Sequence, residues 1–557
     1  MSKEKKKPIG ELLKLKGIIT NSHIEYALQV QKVTKEKLGE ILERLGFVTD
    51  HDIVICLSEQ EEIPFLNIQE IIPKEEVLKL INKTICINNL FLPLAIIDDC
   101  IEVVIYNIWD IAKIQQLIRR QTGRNPKLYL AEKKNIINAI NTYYYFFENP
   151  VEKLIETEIN LFAQDSEMAR GVDNIIKYIF HLAIKMRTTD IHIHPVESTL
   201  DIAFRIDGVM SPVLSFPINL NRIITSLKMK ADMDIAEQRL PQDGRFSTTI
   251  LDNEYDLRVS TTVSPGGENM VLRILPKESG LMGLEQLGFF KKSIAKINSM
   301  FNEPFGIILI TGPTGSGKST TLYSGIRNLN LMEKNIITVE DPIEYQIPLI
   351  RQTQVNTKAG YTFANAIRYF LRHDPDVILL GEIRDSETAA TAVSAATTGH
   401  LVLSTLHTNT AIGAIPRLQD LGVAPYLIGD SLIGVMSQRL VRKICNSCKV
   451  AYKPRDWELS YLQDKSIKKL YMGKGCELCN QSGYFGRTLV YEILVVDRKL
   501  TNLINKNSDL SMIAKTAKES GFNDIFDIMI TKIKMGITTI KEGFRVLGRV
   551  RQESEKN

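Results

Sequence analysis

Residues 306–320 have the sequence GIILITGPTGSGKST, in which an apolar run is followed at once by a glycine-rich one. The apolar half predicts a buried strand, and a helix is predicted to start near Ser319. Glycines between a strand and a helix let successive backbone N–H groups turn toward a phosphate, and the helix N-terminus adds a favourable partial charge. This stretch therefore predicts an α/β domain that binds a nucleotide. The alternative is a glycine-rich turn without a ligand.

The side chains of this loop suggest separate roles. Lys318 is predicted to reach the β- and γ-phosphates of ATP, and the Ser319 hydroxyl is predicted to be a ligand of Mg²⁺. The predicted nucleotide contacts are Gly312, Pro313, Thr314, Gly315, Ser316, Gly317, Lys318, Ser319 and Thr320.

Two further apolar runs end in carboxylates. Residues 377–382 (VILLGE) end in Glu382, which is predicted to hold the metal through water or to orient the attacking water. Residues 340–344 (EDPIE) follow the apolar run 336–339, and Glu344 is the candidate general base. Because the carboxyl ends of parallel strands lie on the ligand side of a sheet, both acids are expected beside the phosphate loop. The alternative for each is an ordinary charged turn.

Histidines and arginines give weaker signals. His400 and His407 flank the predicted strand 401–405, so γ-phosphate sensing by His407 is a hypothesis, and packing or capping is the alternative. Some arginines of ring-shaped ATPases stabilise charge on phosphates bound by a neighbouring subunit, whereas most arginines only solvate a surface. The candidates are Arg258, Arg273, Arg368 and Arg384.

Four of the seven cysteines form two pairs, and each pair has two intervening residues. The pairs are separated by 27 residues, a spacing typical of a closed, tetrahedral, structural Zn²⁺ site. The predicted ligands are Cys445, Cys448, Cys476 and Cys479. The other three cysteines lie in apolar contexts and are predicted to be core residues: Cys56, Cys86 and Cys100.

The composition limits the class of protein. A formal net charge of +4 over 557 residues is too small to indicate a nucleic-acid partner. We find no apolar run of about 18 residues and no secretory signal, so a cytoplasmic location, or attachment to a membrane through partners, is expected. The alternative function is a DNA-dependent or DNA-translocating ATPase with a zinc ribbon. It is disfavoured because the chain lacks a basic stripe with interleaved aromatic residues.

Residues 9–31 and 38–60 form an internal repeat, with an offset of 29 residues and eight identities in 23 positions. Each copy predicts two helices joined by a glycine turn, with a threonine capping the second helix. The predicted turn glycines and capping threonines are Gly17, Gly46, Thr20 and Thr49.

Changes in the hydrophobic pattern set the predicted domain boundaries. Alternating apolar residues after 190 predict an antiparallel-rich α/β domain, and buried runs after 281 predict a parallel sheet with crossover helices. The predicted order is an N-terminal domain at 1–145 with repeats at 8–31 and 37–60, a linker at 146–166, a second α/β domain at 167–280, a nucleotide-binding domain at 281–498 with an insert at 440–485, and a helical region at 499–557.

With these motifs placed, the chain resembles the secretion ATPase family of type II secretion and type IV pilus assembly. The resemblance covers nearly all of the 557 residues. It rests on segments similar to the family's Walker A, aspartate, Walker B and histidine boxes and on two shorter motifs, at 311–320, 339–344, 374–388, 398–409, 239–245 and 438–440.

The resemblance implies a RecA-like P-loop NTPase domain, preceded by a PAS-like α/β domain and an N-terminal domain of helical repeats and α/β structure. It implies a homohexameric motor at the inner face of the inner membrane, where ATP hydrolysis drives pilin or pseudopilin addition through a platform protein. The cysteine insert is similar to that of assembly and secretion motors and disfavours a retraction role. The family's catalytic glutamates and phosphate-contacting arginines correspond to Glu344, Glu382, Arg258, Arg273, Arg368 and Arg384.

The repeat is similar to a cyclic-di-GMP-binding module of some of these ATPases. That module has two 24-residue motifs joined by five residues, the lengths found here at 8–31, 32–36 and 37–60. The arginine that usually leads each motif is replaced by Pro8 and Lys37, and lysine lacks the planar, stacking guanidinium. The repeat therefore predicts either cyclic-di-GMP binding or a helical domain that docks on a membrane-anchored partner.

Overall fold

The computed structural model describes residues 7–164, 169–277 and 282–548, which fall into two compact units. One unit contains the described residues of 50–277, and the other contains residues 7–49 together with 282–548. The predicted N-terminal domain at 1–145 is therefore divided between the two units. No helix of the described ranges is long and apolar enough to cross a membrane.

The internal repeat forms four short helices, α1 (Ile9–Leu15), α2 (Asn21–Thr34), α3 (Leu38–Arg44) and α4 (Asp50–Glu61). Gly17 and Gly46 have φ angles of 70° and 78°, as predicted for residues that end a helix. The Thr20 hydroxyl accepts the N–H of His23, which confirms the predicted cap. Helix α2 continues to Thr34, into the segment predicted as a spacer.

His23 helps to join residues 7–49 to the rest of their unit. Its ring stacks on Phe47 with centroids 4.3 Å apart. Its Nδ1 accepts the N–H of Thr20 at 3.3 Å, so its Nε2 carries the proton that it donates to Asn330 Oδ1, also at 3.3 Å. Burial lowers the pKa of His23, which favours this neutral form.

In the other unit, a three-stranded sheet in the order β1-β2-β3 follows the repeat. Its strands are β1 (Phe91–Ile97), β2 (Cys100–Ile105) and β3 (Asn125–Leu130). Its helices are α5 (Glu75–Leu78), α6 (Lys83–Asn89), α7 (Ile111–Thr122) and α8 (Lys133–Glu148). Strand β3 was not predicted because its Asn-Pro-Lys start resembles a turn, whereas parallel pairing with β2 makes it a strand.

A six-stranded antiparallel sheet in the order β6-β5-β4-β9-β8-β7 completes this unit. Its strands are β4 (Thr188–Pro195), β5 (Thr199–Ile206), β6 (Val209–Pro217), β7 (Gln242–Ile250), β8 (Asn253–Ser264) and β9 (Gly267–Pro276). Its helices are α9 (Val151–Gln164), α10 (Ala169–Lys185) and α11 (Arg222–Lys230). The unpredicted strand β6 contains Pro212, which is tolerated because β6 lies at the sheet edge.

The prediction of a linker at 146–166 is wrong for its described part. Helix α9 occupies most of the segment, and Val151, Ile155 and Phe162 are buried in the same core as the six-stranded sheet. These residues recur at near-helical spacing and form an apolar stripe that the surrounding polar residues hide in the sequence. Residues 165 and 166 lie outside the described residues.

The second unit is built on a seven-stranded sheet in the order β12-β11-β13-β14-β10-β15-β18, in which only the pair β15–β18 is antiparallel. The strands are β10 (Gly306–Thr311), β11 (Ile336–Glu340), β12 (Arg351–Gln354), β13 (Val377–Leu380), β14 (Leu401–Leu406), β15 (Leu432–Ile444) and β18 (Tyr484–Val495). Polar residues interrupt β12, β15 and β18, which explains why the apolar pattern identified only the other four strands.

Helices cover both faces of this sheet. Ile307 and Leu309 share a core cluster with the helices at 363–370 and 386–397, whereas Ile308 and Ile310 share one with the helices at 291–301 and 318–327. A strand buried on both faces is mainly apolar, as residues 307–310 of β10 are. The helices are α12 (Leu284–Leu287), α13 (Lys291–Phe301), α14 (Lys318–Arg327), α15 (Phe363–Phe370), α16 (Ser386–Thr397), α17 (Ala414–Asp420) and α18 (Pro425–Ser431).

The cysteine-bearing insert lies between β15 and β18 and contains β16 (Lys449–Tyr452), α19 (Asp456–Tyr461) and β17 (Leu470–Gly473). The chain then continues into the predicted helical region, α20 (Arg498–Asn505), α21 (Leu510–Glu519), α22 (Ile525–Lys534) and α23 (Ile540–Leu547). Tyr461 of the insert packs on Phe544 of α23, with ring centroids 4.4 Å apart. Trp457 of the insert also lies against Phe544, with ring centroids 6.0 Å apart, so the insert packs on α23 through two aromatic residues.

Candidate functional site

Four loops meet at one edge of the seven-stranded sheet. They follow the carboxyl ends of β10, β11, β13 and β14, which run parallel to one another. The first loop is the glycine-rich loop 312–320, and the other three carry Glu344, Glu382 and His407. The parallel topology thus brings these sequence-predicted groups to one edge, where ligands of open α/β sheets bind.

The glycine-rich loop has the backbone that the sequence predicts. Gly312, Gly315 and Gly317 have φ angles of 141°, 74° and 86°, which side-chain-bearing residues rarely adopt. Helix α14 begins at Lys318, directly after them, so its unpaired N–H groups open onto the loop. The buried Ser316 hydroxyl has no hydrogen-bond partner among the described residues and suits an oxygen-rich ligand.

Lys318 is the cation of this loop. Its Nζ donates to the carbonyl oxygens of Gly312 at 3.0 Å and Pro313 at 3.3 Å, so the side chain folds back over the loop. Burial lowers the pKa of Lys318, and the nearby carboxylates of Glu382 and Glu344 partly offset that shift. Both predicted catalytic acids therefore lie within electrostatic reach of the predicted phosphate-binding lysine.

Glu382 lies two residues beyond β13 and is mostly buried, with 14% of its side chain exposed. Arg384 Nη2 is 2.5 Å from its Oε1, and His407 Nε2 is 3.4 Å from its Oε2. The same carboxylate thus joins two of the other predicted site residues. Arg384 and His407 remain substantially exposed, which leaves both free to turn toward a ligand.

The carboxylates Glu340 and Glu344, at and after the end of β11, have different surroundings. Glu340 is buried and accepts hydrogen bonds from the hydroxyls of Tyr323 and Thr338 and, at 3.1 Å, from Gln352 Nε2. Burial and the adjacent Glu340 charge raise the pKa of Tyr323. Glu340 therefore stabilises the end of β11 through buried hydrogen bonds. Glu344, in contrast, is exposed.

His400, the other histidine that flanks β14, lies away from the glycine-rich loop. It precedes β14 and lies at the opposite edge of the sheet from the glycine-rich loop, because β14 runs parallel to β10. Its Nδ1 is 3.0 Å from the carbonyl oxygen of Ala395, which fits the alternative of a packed, capping histidine. His407, at the other end of β14, keeps the predicted position.

The four candidate arginines fall into two groups. Arg384 pairs with Glu382, and Arg368 pairs with Glu387 at 2.9 Å, both in the unit that holds the glycine-rich loop. Arg258 and Arg273 are cross-strand neighbours on β8 and β9 of the other unit. Arg273 Nε donates to Oδ1 of the buried Asp190 at 2.8 Å.

Gln438 contacts the glycine-rich loop, and the sequence alone did not indicate this contact. It is fully buried on β15, and its side chain bonds both to the glycine-rich loop and to helix α14. The only sequence signal is its place in the Gln438-Arg439-Leu440 motif, which carries no chemical pattern of its own. A contact between residues more than 100 positions apart can only be recognised in the folded chain.

The four predicted cysteine ligands converge, and their sulfur atoms all lie within 4.8 Å of one another. The Sγ–Sγ distances are 3.7 Å for Cys445–Cys476, 3.9 Å for Cys448–Cys479 and 3.6 Å for Cys476–Cys479. This cluster could hold a metal ion. Of the remaining cysteines, Cys56 and Cys86 are buried as predicted, and Cys100 is half-buried.

Backbone N–H groups surround the sulfur atoms. Gly475 N donates to Cys448 Sγ at 3.3 Å, and Gly483 N donates to Cys479 Sγ at 3.3 Å. Such N–H···S bonds orient thiolate ligands and stabilise their charge. Gly473 and Gly483 lie so close together that a Cβ on Gly473 would be 2.0 Å from the Gly483 carbonyl oxygen, which requires glycine at this crossing.

Comparisons with known proteins agree with this geometry. The family model for type II/IV secretion system proteins matches residues 165–545, and the MshEN domain model matches residues 61–149. The type II secretion system ATPase E of Vibrio cholerae serotype O1 is 44% identical over 439 residues, covering 78% of this chain and 85% of that protein. The type IV pilus assembly ATPase PilB of Myxococcus xanthus is 34% identical over 555 residues, covering 96% of this chain and 98% of that protein.

A solved structure gives independent support for the fold. The X-ray structure of the Yersinia pseudotuberculosis ATPase DotB aligns with a TM-score of 0.50 and 20% identity, over 67% of this chain and 93% of that one. At this identity the likeness concerns the fold alone. The MshEN match begins at residue 61, so it covers the α/β structure after the repeat and not the repeat itself.

Proposed function

Because the chain belongs to the type II/IV secretion system ATPase family, as an ATPase of type II secretion or type IV pilus assembly, we propose that it hydrolyses MgATP at the edge formed by the 312–320 loop. The observation that carries this proposal is the position of Lys318, Glu344 and Glu382 at the same end of the parallel strands β10, β11 and β13. Phosphoryl transfer to water requires a cation that contacts the phosphates and acids that position the attacking water and the metal ion. Lys318, Glu344 and Glu382 are groups of these kinds.

The proposed roles follow from the positions of the side chains. Lys318 would leave the loop carbonyls to contact the β- and γ-phosphates, and the Ser319 hydroxyl would be a ligand of Mg²⁺, which neutralises phosphate charge when bound. Glu344, exposed at the loop edge, would accept the proton of the attacking water. Glu382 would orient that water or hold the metal through water, while His407 senses the γ-phosphate through Glu382.

The arginines support a role for neighbouring subunits. Arg368 and Arg384 lie in the nucleotide-binding unit, and we assign Arg258 and Arg273 to the nucleotide of an adjacent subunit in a homohexamer. Arg258 and Arg273 lie side by side on β8 and β9, and guanidinium groups suit bidentate contacts with phosphate oxygens. We therefore propose a PAS-like domain at 167–280 that completes the site of a RecA-like neighbour.

The relatives point to the machine that this ATPase serves. We propose that a cytoplasmic hexamer at the inner face of the inner membrane contacts a platform protein and a membrane-anchored docking protein, and drives pilin or pseudopilin assembly. Support comes from the names of the two relatives above, one from type II secretion and one from type IV pilus assembly. The four-cysteine insert favours assembly over retraction, as the sequence analysis expects.

We assign Zn²⁺ to the cysteine cluster because the sulfur spacing fits it. A regular tetrahedron with Zn–S bonds of about 2.3 Å has edges of about 3.8 Å. The Sγ–Sγ distances of 3.6–3.9 Å match these edges. Four thiolates leave no open position for water, so the ion would be structural and would tie the two ends of the insert together.

The first testable prediction concerns Lys318. Lys318→Met should weaken MgATP binding roughly 10- to 100-fold, because each hydrogen bond from a charged donor contributes about 1.5–3 kcal/mol. The measurement is nucleotide titration of the purified full chain, together with phosphate release. Lys515→Met, which changes an exposed lysine of α21, is the matched control and should bind as the unmodified chain does. If Lys318→Met binds MgATP as tightly as the unmodified chain, the proposed site is contradicted. If the unmodified chain hydrolyses ATP faster only when DNA is added, the DNA-dependent alternative is favoured.

The second prediction concerns the repeat, to which we assign cyclic-di-GMP binding. Lys37 keeps a positive charge at the start of α3 but lacks the planar guanidinium, so Lys37→Arg should tighten binding of the dinucleotide. Calorimetric titration of the full chain measures this, with Lys32→Arg in the adjoining segment as the matched control. If neither the chain nor Lys37→Arg gives heat at high micromolar ligand, the repeat is a docking domain instead.

A further inference from the structure

Gln438 occupies an unusual position beside the glycine-rich loop. Strand β15 runs parallel to β10, and Ser437 lies opposite Thr311, so the next residue, Gln438, reaches the level where the loop begins. Its side chain is fully buried. Its Nε2 donates to the carbonyl oxygen of Ser316 at 2.9 Å, and its Oε1 accepts from the Thr321 hydroxyl at 3.0 Å. One amide thus connects the loop to the first turn of α14.

Two of the loop glycines are packed against this same residue. A Cβ on Gly312 would lie 2.4 Å from the Gln438 carbonyl oxygen, a distance that no side chain tolerates. A Cβ on Gly317 would lie 3.4 Å from Gln438 Nε2. The absence of a side chain at Gly312 therefore lets β15 approach the loop closely, whereas a Cβ on Gly317 would make an ordinary contact and glycine is favoured there by its φ angle of 86°.

The bond to Ser316 also determines the direction of a phosphate-facing group. The peptide between Ser316 and Gly317 is planar and trans, so its C=O and N–H point in opposite directions. Because Gln438 holds the Ser316 carbonyl toward β15, the N–H of Gly317 points away from β15. Glycines at 315 and 317 permit this peptide to rotate, so the loop needs an external group that holds it.

We propose that Gln438 is a positioning residue for phosphate binding, which holds the Ser316–Gly317 peptide in the orientation that aims its N–H at a nucleotide phosphate. The inference rests on the proposed function of the loop. Gln438 acts through the backbone and touches no reacting atom. The Thr321 hydroxyl, on helix α14, holds the Gln438 amide in place by donating a hydrogen bond to its Oε1.

Gln438→Met tests the proposal because methionine has a similar volume and removes both hydrogen bonds. ADP should bind about tenfold more weakly or worse, since the buried Ser316 carbonyl loses its donor and the peptide becomes free to turn. In hydrolysis, the KM for ATP should rise by a similar factor while kcat changes less, because Glu344 and Glu382 are untouched. The measurements are ADP titration and steady-state kinetics on the full chain.

Gln419→Met is the matched control, because it removes a glutamine bond to Asn507, 2.9 Å long, elsewhere in the same unit. Both variants should lose some thermal stability, but only in Gln438→Met should the rise in Tm that ADP produces become smaller. If Gln438 had a merely structural role, Gln438→Met would have a lower Tm, but its affinity for ADP would equal that of the unmodified chain.

Thr321→Val keeps the proposal testable if Gln438→Met does not fold. It removes the anchoring hydroxyl and keeps the shape of the side chain, so ADP affinity should fall, whereas Thr321→Ser should restore it. Unchanged ADP affinity in Thr321→Val, or in a folded Gln438→Met, overturns the proposal. If the unmodified chain itself does not bind ADP, the proposed function of the loop fails instead, so the two failures are distinguishable.

Discussion

Glu382→Gln should abolish most ATP turnover while nucleotide binding persists. Positioned acids and bases contribute about 10²–10⁴-fold to a reaction, so we expect at least about a hundredfold fall in kcat. Glutamine keeps the shape of the side chain but removes the charge that holds Arg384 and His407. Because Lys318 and the loop backbone are unchanged, ATP should still bind with nearly its original affinity.

The measurement is steady-state phosphate release together with ATP titration of the same preparation. Glu519→Gln, at the exposed end of α21, is the matched control and should hydrolyse ATP at the unmodified rate. Arg384 is largely exposed, so losing its partner should leave the fold intact. Turnover within about twofold of the unmodified chain would show that Glu382 has no role in hydrolysis.

Cys445→Ser should remove the metal and unfold the insert. Cys445 is fully buried, and its sulfur is one of four that converge within 4.8 Å. Structural zinc contributes about 10–16 kcal/mol to the folding of small zinc-finger peptides, far more than the short elements of this insert can replace. The variant should contain no zinc and should melt at a lower temperature.

The effect should extend to the last helix. Tyr461 of α19 packs on Phe544 of α23, and Lys534 of α22 donates to Asp464 of the insert at 2.7 Å. Hydrogen exchange should therefore rise in α19 and α23 of Cys445→Ser, with elemental analysis reporting the metal. Cys100→Ser, a half-buried cysteine outside the cluster, is the control and should keep its zinc. A zinc-free Cys445→Ser with an unchanged melting curve would rule out a structural role.

Much of this architecture could be predicted from local patterns. The glycine-rich loop, the four apolar strands, the cysteine pairs and the turn glycines of the repeat depend on residues close together in the chain. A strand that is buried on both faces must be apolar, and a helix end in the left-handed conformation favours glycine. Patterns of this kind are visible in the sequence because their physical cause is local.

The errors have a common cause. Helix α9 was not predicted because its apolar residues Val151, Ile155 and Phe162 are few among polar ones. Their burial depends on the core that they share with the six-stranded sheet. Likewise, Glu340 resembles an exposed acid until Tyr323, Thr338 and Gln352 are seen to surround it. His400 and His407 differ by seven positions, yet the direction of β14 places them at opposite edges of the sheet.

The identity of the chemical groups was therefore decided in the sequence, and their arrangement was decided by tertiary contacts. The order of strand, glycines, lysine and helix specifies a phosphate site because backbone geometry and charge act over a few residues. Gln438 lies more than 100 residues from that loop, and only the parallel pairing of β15 with β10 brings its amide to Ser316. Hydrogen bonds require contact within about 3 Å, and for distant residues the fold alone determines which groups meet.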